Sequence, residues 1–291
     1  MSAERTLVRP PPLSCTVRGC ALTLERRGRA FLCSAGHSYD IARTGYVNLL
    51  QPQDRRSRAA GDAKAAVAAR AALLASGVGR ALIDRVTAQA AALALPPDAV
   101  AIDLGSGSGD GLAAVVERCA LTGIGIDLST AAGDHAARRF PSLTWVVANA
   151  DRRLPLADHS VDLMLSLYGR RNPSEADRVL TPAGVALIAV PAPDDLIELR
   201  ALVQGEAVER DRANAIVAEH QPEFVLVDRE SVRETLDLDR ESLVRLLHSS
   251  YRGARRAVAE RVAALSRMRV TLASEVLQLR RPRDGGPLPR R

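Results

Sequence analysis

Residues Ala101–Gly111 read AIDLGSGSGDG. The apolar half predicts a short buried strand over Val100–Leu104. The glycines predict a turn over Gly105–Gly109, and a helix follows from about Asp110 to Cys119. Glycines let the backbone approach a ligand closely, and a helix N-terminus points its N–H groups inward. The pattern is G-x-G-x-G, distinct from the dinucleotide fingerprint G-x-G-x-x-G. A second strand, Gly123–Asp127 (GIGID), ends in an acid about twenty residues after the turn, where a carboxylate accepts hydrogen bonds from ribose hydroxyls. These features fit an α/β nucleotide-binding sheet and leave NAD and S-adenosylmethionine both open.

Two further details favour S-adenosylmethionine. Asp103 lies two residues before the first glycine, where it can hold a ligand's amino-acid portion. Trp145–Tyr168, WVVANADRRLPLADHSVDLMLSLY, then reads as a strand, a loop containing LPL, and a fourth strand over Val161–Leu167. That order resembles the class I methyltransferases, as does Arg178–Pro191 as helix end, turn and fifth strand. The resemblance assigns cofactor contacts to Asp103, Gly105, Ser106, Gly107, Gly109, Asp127 and Leu128, with Asn149, Ala150 and Asp151 near the adenine. The expected fold is α/β, a Rossmann-like doubly wound sheet with its ligand at the strand C-terminal ends. Beyond it, helical stretches are expected near Asp194–Leu202 and Asp239–His248. Strand-like runs at Glu223–Val227, Ser231–Leu236 and Arg267–Leu279 would supply an antiparallel pair at the end of the sheet.

Ahead of this sheet, Cys15, Cys20, Cys33 and His37 read C-x4-C-x12-C-x3-H. Zinc takes four Cys or His ligands, commonly as two close pairs. Gly19 and Gly36 sit inside the two gaps, where left-handed turns let paired ligands face one ion. LTLERRGRAFL (Leu22–Leu32) between the pairs predicts a hairpin turning at Arg27-Gly28. The four together predict a closed, structural zinc site in a zinc-ribbon-like module too small to hold a core alone. Two helices are expected between Asp62 and Leu95, broken at Ala75–Gly79 and ending before Pro96-Pro97.

Composition is that of an ordinary globular chain: 47% of the 291 residues are hydrophobic and 25% charged. The net charge of +6 favours a polyanionic partner. Lys64 is the only lysine, and arginines cluster at Arg55, Arg56 and Arg58 and again at Arg252, Arg255 and Arg256. Such clusters form one electrostatic footprint if the fold brings them together. No stretch approaches the ~20 apolar residues of a membrane span, and no apolar leader opens the chain. The expectation is a cytoplasmic protein with reduced thiols and no membrane contact.

With the knuckle, Gly45–Leu50 (GYVNLL) and the sheet in place, the chain resembles the bacterial 23S rRNA guanine-N1 methyltransferases. The specific parts are Cys33–His37, Tyr39-Asp40, GYVNLL, the RRSR…GD run over Arg55–Asp62, and Ala68–Leu74. The resemblance implies methyl transfer from S-adenosylmethionine to N1 of a guanine in a hairpin loop of 23S rRNA, an activity that in some members confers macrolide resistance. It is compatible with a homodimer. It implies a zinc-binding RNA-recognition module over 1–50, an arginine-rich linker and leading helices over 51–95, a methyltransferase domain over 96–283, and a disordered tail over 284–291. Tyr168, Arg170 and Arg171 become the base pocket, and Arg55, Arg56 and Arg58 contact RNA. Two departures stand out. The first zinc pair is C-x4-C where the family has C-x2-C, which makes Cys15 the least secure ligand. Gly169-Arg170 replaces the family's Ala-Pro. The competing readings are a methyltransferase acting on a small molecule and a non-catalytic RNA-binding protein with a retained cofactor pocket. None of His135, His159, His220 and His248 sits in a motif, so all four read as surface or packing residues. No residue stands out in the sequence as the acceptor of the guanine proton; of the acids at hand, Asp151 and Asp158 each read first as a loop or cofactor residue.

Overall fold

The computed structural model describes residues 11–54, 61–204, 211–250, 260–262 and 264–282. Arg55, Arg56 and Arg58, the Arg252–Arg256 cluster and the 284–291 tail lie outside the described residues.

The N-terminal region folds as a three-stranded antiparallel sheet of β1 (Glu25–Arg27), β2 (Ala30–Leu32) and β3 (Ser38–Asp40). Arg27 pairs with Ala30, so the hairpin turns at Gly28-Arg29, one residue later than expected. Gly28 has φ +61°, the left-handed value that such a turn requires. Chain direction then reverses through β4 (Val47–Asn48), which leaves this small sheet and joins the large one.

Helices α1 (Lys64–Ala75) and α2 (Arg80–Ala92) follow, their axes bent by 78° at the break. Gly77 and Gly79, both at positive φ, make that break. Next come β5 (Val100–Leu104), α3 (Asp110–Cys119), β6 (Thr122–Asp127), α4 (Thr130–Arg139), β7 (Thr144–Val147), β8 (Val161–Leu167), α5 (Pro173–Val179) and β9 (Leu180–Pro191). The C-terminal part adds α6 (Ile197–Gln204), α7 (Ala213–Glu219), β10 (Val225–Asp239), α8 (Arg240–Ser250) and β11 (Arg267–Arg280).

The large sheet has the order β10-β11-β9-β8-β5-β6-β7-β4. Strands β4 to β9 pair in parallel, and β11 runs antiparallel to both of its neighbours. The apolar run of β5 is buried at all five positions, as a central parallel strand covered on both faces must be. The two strand-like runs expected over Glu223–Leu236 are one continuous strand, β10. The sequence interruption between them falls near a register shift between Leu226 and Asp228. From Glu230 to Leu238 burial alternates along β10, the signature of an edge strand with one wet face.

The zinc-ligand region and the large sheet share one core. Leu13, Leu24, Phe31 and Cys33 lie in the same buried cluster as Val47, Leu49, Val100, Ile102 and Ile126. Backbone bonds tie them as well: Ser14 N–H donates to Pro155 O at 3.0 Å and Leu49 N–H to Val147 O at 2.9 Å. GYVNLL is therefore a seam between the two parts. Among the described residues no single helix is long and apolar enough to cross a membrane.

Candidate active site and metal centre

Cys15, Cys20, Cys33 and His37 converge, with their ligand atoms all within 4.8 Å of one another. Cys20 Sγ lies 3.8 Å from Cys33 Sγ, and the His37 Nδ1 lies 3.4 Å from the Sγ atoms of both Cys15 and Cys33. Bond lengths of about 2.3 Å to sulfur and about 2.0–2.1 Å to nitrogen place tetrahedral ligands roughly 3.6–3.8 Å apart. The quartet fits zinc, which Cys15, Cys20, Cys33 and His37 would hold, with His37 Nδ1 the nitrogen facing the sulfurs. Four protein ligands leave no position for substrate. The long first gap is absorbed by a turn, where Cys20 N–H donates to Val17 O at 2.9 Å and Gly19 takes φ +77°. Cys15 thus lies within reach of the other three, and its Sγ also lies 3.2 Å from the Tyr39 hydroxyl.

At the C-terminal end of β5, Gly105, Gly107 and Gly109 all take positive φ, at +79°, +54° and +86°. The N–H groups of this turn are mostly engaged within the protein. Gly105 and Ser106 donate to Ile126 O, Gly107 donates to Asp127 Oδ2 at 2.9 Å, and Gly109 donates to Ser106 O. Asp127 Oδ1 also accepts from Ser129 N–H at 2.8 Å. Asp103 is buried beneath the turn, and its Oδ1 has no protein partner. Burial, helped by the charge of Asp127, pushes the Asp103 carboxyl up to about 7. Burial also raises Asp127. An orphaned carboxylate and a turn with few spare donors favour a cationic ligand over a pyrophosphate. S-adenosylmethionine, with its ammonium and sulfonium, has that character.

A cavity of about 1090 Å³ opens on this turn. Asp103, Gly105, Ser106, Gly107, Asp127, Leu128, Asn149, Ala150 and Asp151 all line it, as do Tyr168, Arg170 and Arg171. Gly109 is absent from its walls. A Cβ there would sit 2.6 Å from the Trp145 ring, so its missing side chain serves packing between α3 and β7.

Tyr168 follows β8 at φ +58°, lines the cavity and is half exposed. Its hydroxyl bonds Ser274 on β11, which fixes the ring while leaving it accessible. Burial of the hydroxyl end raises its pKa. Gly169 presses on the glycine turn: a Cβ there would lie 1.9 Å from Leu104 O. Arg170 is exposed and 3.8 Å from Asp151, whereas Arg171 is half-buried and bonds Gly169 O at 3.3 Å. Asp158 stands apart on the surface, held below the usual carboxylate range by its hydrogen bond from Arg178. His220 is buried with Nδ1 2.8 Å from Ile216 O, a packing residue.

Sequence reasoning missed three residues here. Arg70 of α1 lines the cavity and bonds Asp62 at 3.1 Å and Ser249 O at 3.0 Å. Asp62 is anchored in turn, its carbonyl accepting from Ser129 Oγ at 2.6 Å. Asp195, beyond β9, accepts from Ala273 N–H at 2.9 Å beside Ser274. Arg70 and Asp62 fall within the AAR and GD signatures, but their roles need the fold.

A zinc-ribbon family described as "RlmA, N-terminal" matches residues 14–58, and one described as "Methyltransferase domain" matches residues 101–184. Over 269 residues the chain is 36% identical to the 23S rRNA (guanine(748)-N(1))-methyltransferase of Streptomyces fradiae, covering 90% of this chain and 95% of that protein. It is 38% identical over 207 residues to the "Putative 23S rRNA (guanine-N(1)-)-methyltransferase" of Micromonospora griseorubida, covering 65% of this chain and 68% of that one. The strand order, the glycine turn and the ligand quartet make this a class I S-adenosylmethionine-dependent methyltransferase carrying a structural zinc ribbon. Identity over nearly the full length narrows the class. The chain belongs to the 23S rRNA (guanine-N1)-methyltransferase family.

Proposed function

We propose that this enzyme methylates N1 of a guanine in a hairpin loop of 23S rRNA, and that the exposed Tyr168 ring is where the flipped base stacks. The observation that carries the reading is the continuity of one cavity from the glycine turn to Tyr168 and Arg171. A nucleobase has to leave its stack to reach a site of that depth.

The cofactor supplies an electrophilic methyl group on a sulfonium; the protein's part is alignment. Asp103 holds the amino-acid ammonium, Asp127 the ribose hydroxyls, and Asn149–Asp151 the adenine. Tyr168 offers its face to the base, with its hydroxyl pinned at Ser274. Guanine presents N1–H and N2–H as neighbouring donors, and a carboxylate is the matching acceptor. Asp195, in the loop after β9, is the carboxylate we assign to it: it accepts from Ala273, the β11 residue beside the Tyr168 anchor Ser274. Burial raises its carboxyl to about 6, against the pull of the Ala273 N–H and of Arg200. That makes it a better proton acceptor than an ordinary aspartate. The exposed Arg26, Arg27 and Arg29 of the β1–β2 hairpin meet the RNA backbone, with Arg55, Arg56 and Arg58 adding charge. The zinc ribbon holds that hairpin in place.

The test is transfer of labelled methyl from S-adenosylmethionine to 23S rRNA, followed by primer extension across the hairpin loops. Label on rRNA with a reverse-transcription stop at a single guanine is expected, and the position named for the Streptomyces relative is the first to read. Label confined to small molecules, or cofactor binding without transfer to either, would overturn the reading.

A further inference from the structure

The cofactor's amino-acid end carries an anion as well as a cation, and the glycine turn does little for the anion. Four of its N–H groups are engaged with Ile126, Asp127 and Ser106. The acids around it, Asp62, Asp103 and Asp127, repel a carboxylate. A guanidinium is the group that suits this place, since its planar fork binds a carboxylate by two parallel hydrogen bonds.

We infer that Arg70 is the clamp for the α-carboxylate of S-adenosylmethionine, opposite Asp103, which takes the ammonium. Five arginines line the cavity among the described residues. Arg170 leans to Asp151, Arg171 to the Gly169 carbonyl, and Arg200 to the Pro193 carbonyl. Arg212 belongs to the segment leading into α7. Arg70 brings its guanidinium to the turn, where a Cβ on Gly107 would lie 3.0 Å from its Nη1, whereas Arg170 approaches Gly105 through its backbone N. Gly107 is thus the position where any side chain would separate the guanidinium from the turn. Arg70 is also pre-aimed. Nη1 bonds Asp62 Oδ2 at 3.1 Å and Nη2 bonds Ser249 O at 3.0 Å, while about a third of the side chain stays exposed to the cavity. Five N–H donors are enough to keep both bonds and receive a carboxylate. Asp62 then holds the clamp in position without itself touching the cofactor.

This inference depends on the cofactor and not on the methyl acceptor, so failure of the rRNA reading leaves it standing. The test compares, by titration calorimetry, S-adenosylmethionine with its decarboxylated form, which lacks only the carboxylate. The wild-type protein is expected to prefer the full cofactor by about ten- to a hundredfold, the range of charge-assisted hydrogen bonds. Arg70→Met should abolish the preference by weakening the full cofactor alone, and Arg70→Lys should keep part of it. Asp62→Asn, which leaves the guanidinium, should keep the preference with both ligands slightly weaker. Thermal melting identifies a variant that fails to fold, in which case Arg70→Lys and Asp62→Asn carry the comparison. Equal weakening of both ligands in Arg70→Met, or no preference in the wild type, would overturn the assignment.

Discussion

Gly107 gives its backbone N–H to the Asp127 carboxylate at 2.9 Å, so the acid at the end of β6 closes the turn that follows β5. The other oxygen of Asp127 accepts from Ser129 and starts α4. One side chain thus shapes the cofactor turn from two directions. Asp127→Ala strands two backbone donors, at about 1–3 kcal/mol each. We expect a melting temperature lower by several degrees and a loss of S-adenosylhomocysteine binding. Asp127→Asn keeps one acceptor and should recover stability more than affinity. Full recovery of affinity in the Asn variant would show that Asp127 only shapes the loop.

Asp103 predicts a pH dependence. Its carboxyl is raised to about 7, so the cofactor-free folded protein holds a proton that the unfolded chain has released above the ordinary carboxylate range. Asp103 therefore lowers stability as pH rises from about 4 to about 7. Cofactor binding runs the other way, because the ammonium needs the ionised acid. Affinity measured by calorimetry should strengthen roughly tenfold between pH 6 and pH 8. Asp103→Asn should bind weakly and flatten the profile. A flat wild-type profile would sink the pairing.

The metal is expected to stabilise more than its own module. Elemental analysis should find about one zinc per chain, and Cys33→Ala should lose it. Cys15 and Cys33 lie in the core cluster that includes Val47, Val100 and Ile126. Chelation should therefore lower one shared calorimetric transition. Two transitions, the upper one unmoved by chelator, would show that the ribbon folds independently.

The reach of the sequence follows from the range of the forces involved. VAIDL, the glycine turn, the strand of Val161–Leu167 and the paired Cys/His spacings are local signals, and each formed where its own residues place it. The β4 seam was not legible, because two residues with no periodicity become a strand only when β7 offers an edge. Nor was the packing role of Gly109, which depends on Trp145 of a later strand. Arg70, Asp195 and the Tyr168 anchor are contacts across 179, 78 and 106 positions of the chain, and no spacing rule spans those distances.

Gly169, like the long first cysteine gap, is a departure from the family pattern with a physical reason in the structure. Its α-carbon is pressed against the end of β5, so that an added methyl would lie 1.9 Å from Leu104 O. Gly169→Ala forces the loop to retreat and to carry Tyr168 with it. The expected cost is about 1–3 kcal/mol of stability, as for other overpacked sites, with a large loss of methyl transfer. A variant with unchanged melting temperature and activity would show that the loop has room the structure does not give it.

Tyr168 separates the stacking role from the anchoring one. Its ring is half exposed and its hydroxyl is bonded to Ser274, so the two functions belong to different atoms. Tyr168→Phe keeps the ring and loses the anchor. It should cost about 1 kcal/mol of stability and little activity, and Ser274→Ala should match it. Tyr168→Ala removes the platform. Base–aromatic stacking contributes about 1–3 kcal/mol, which predicts a fall in kcat/KM for rRNA of about ten- to a hundredfold. Cofactor affinity should stay close to wild type, because the cofactor-binding assignments leave the ring free. Steady-state methylation of a hairpin substrate and calorimetry with S-adenosylhomocysteine read the two separately. If Tyr168→Ala loses cofactor binding as steeply as methyl transfer, the ring is part of the cofactor wall and the base is held elsewhere.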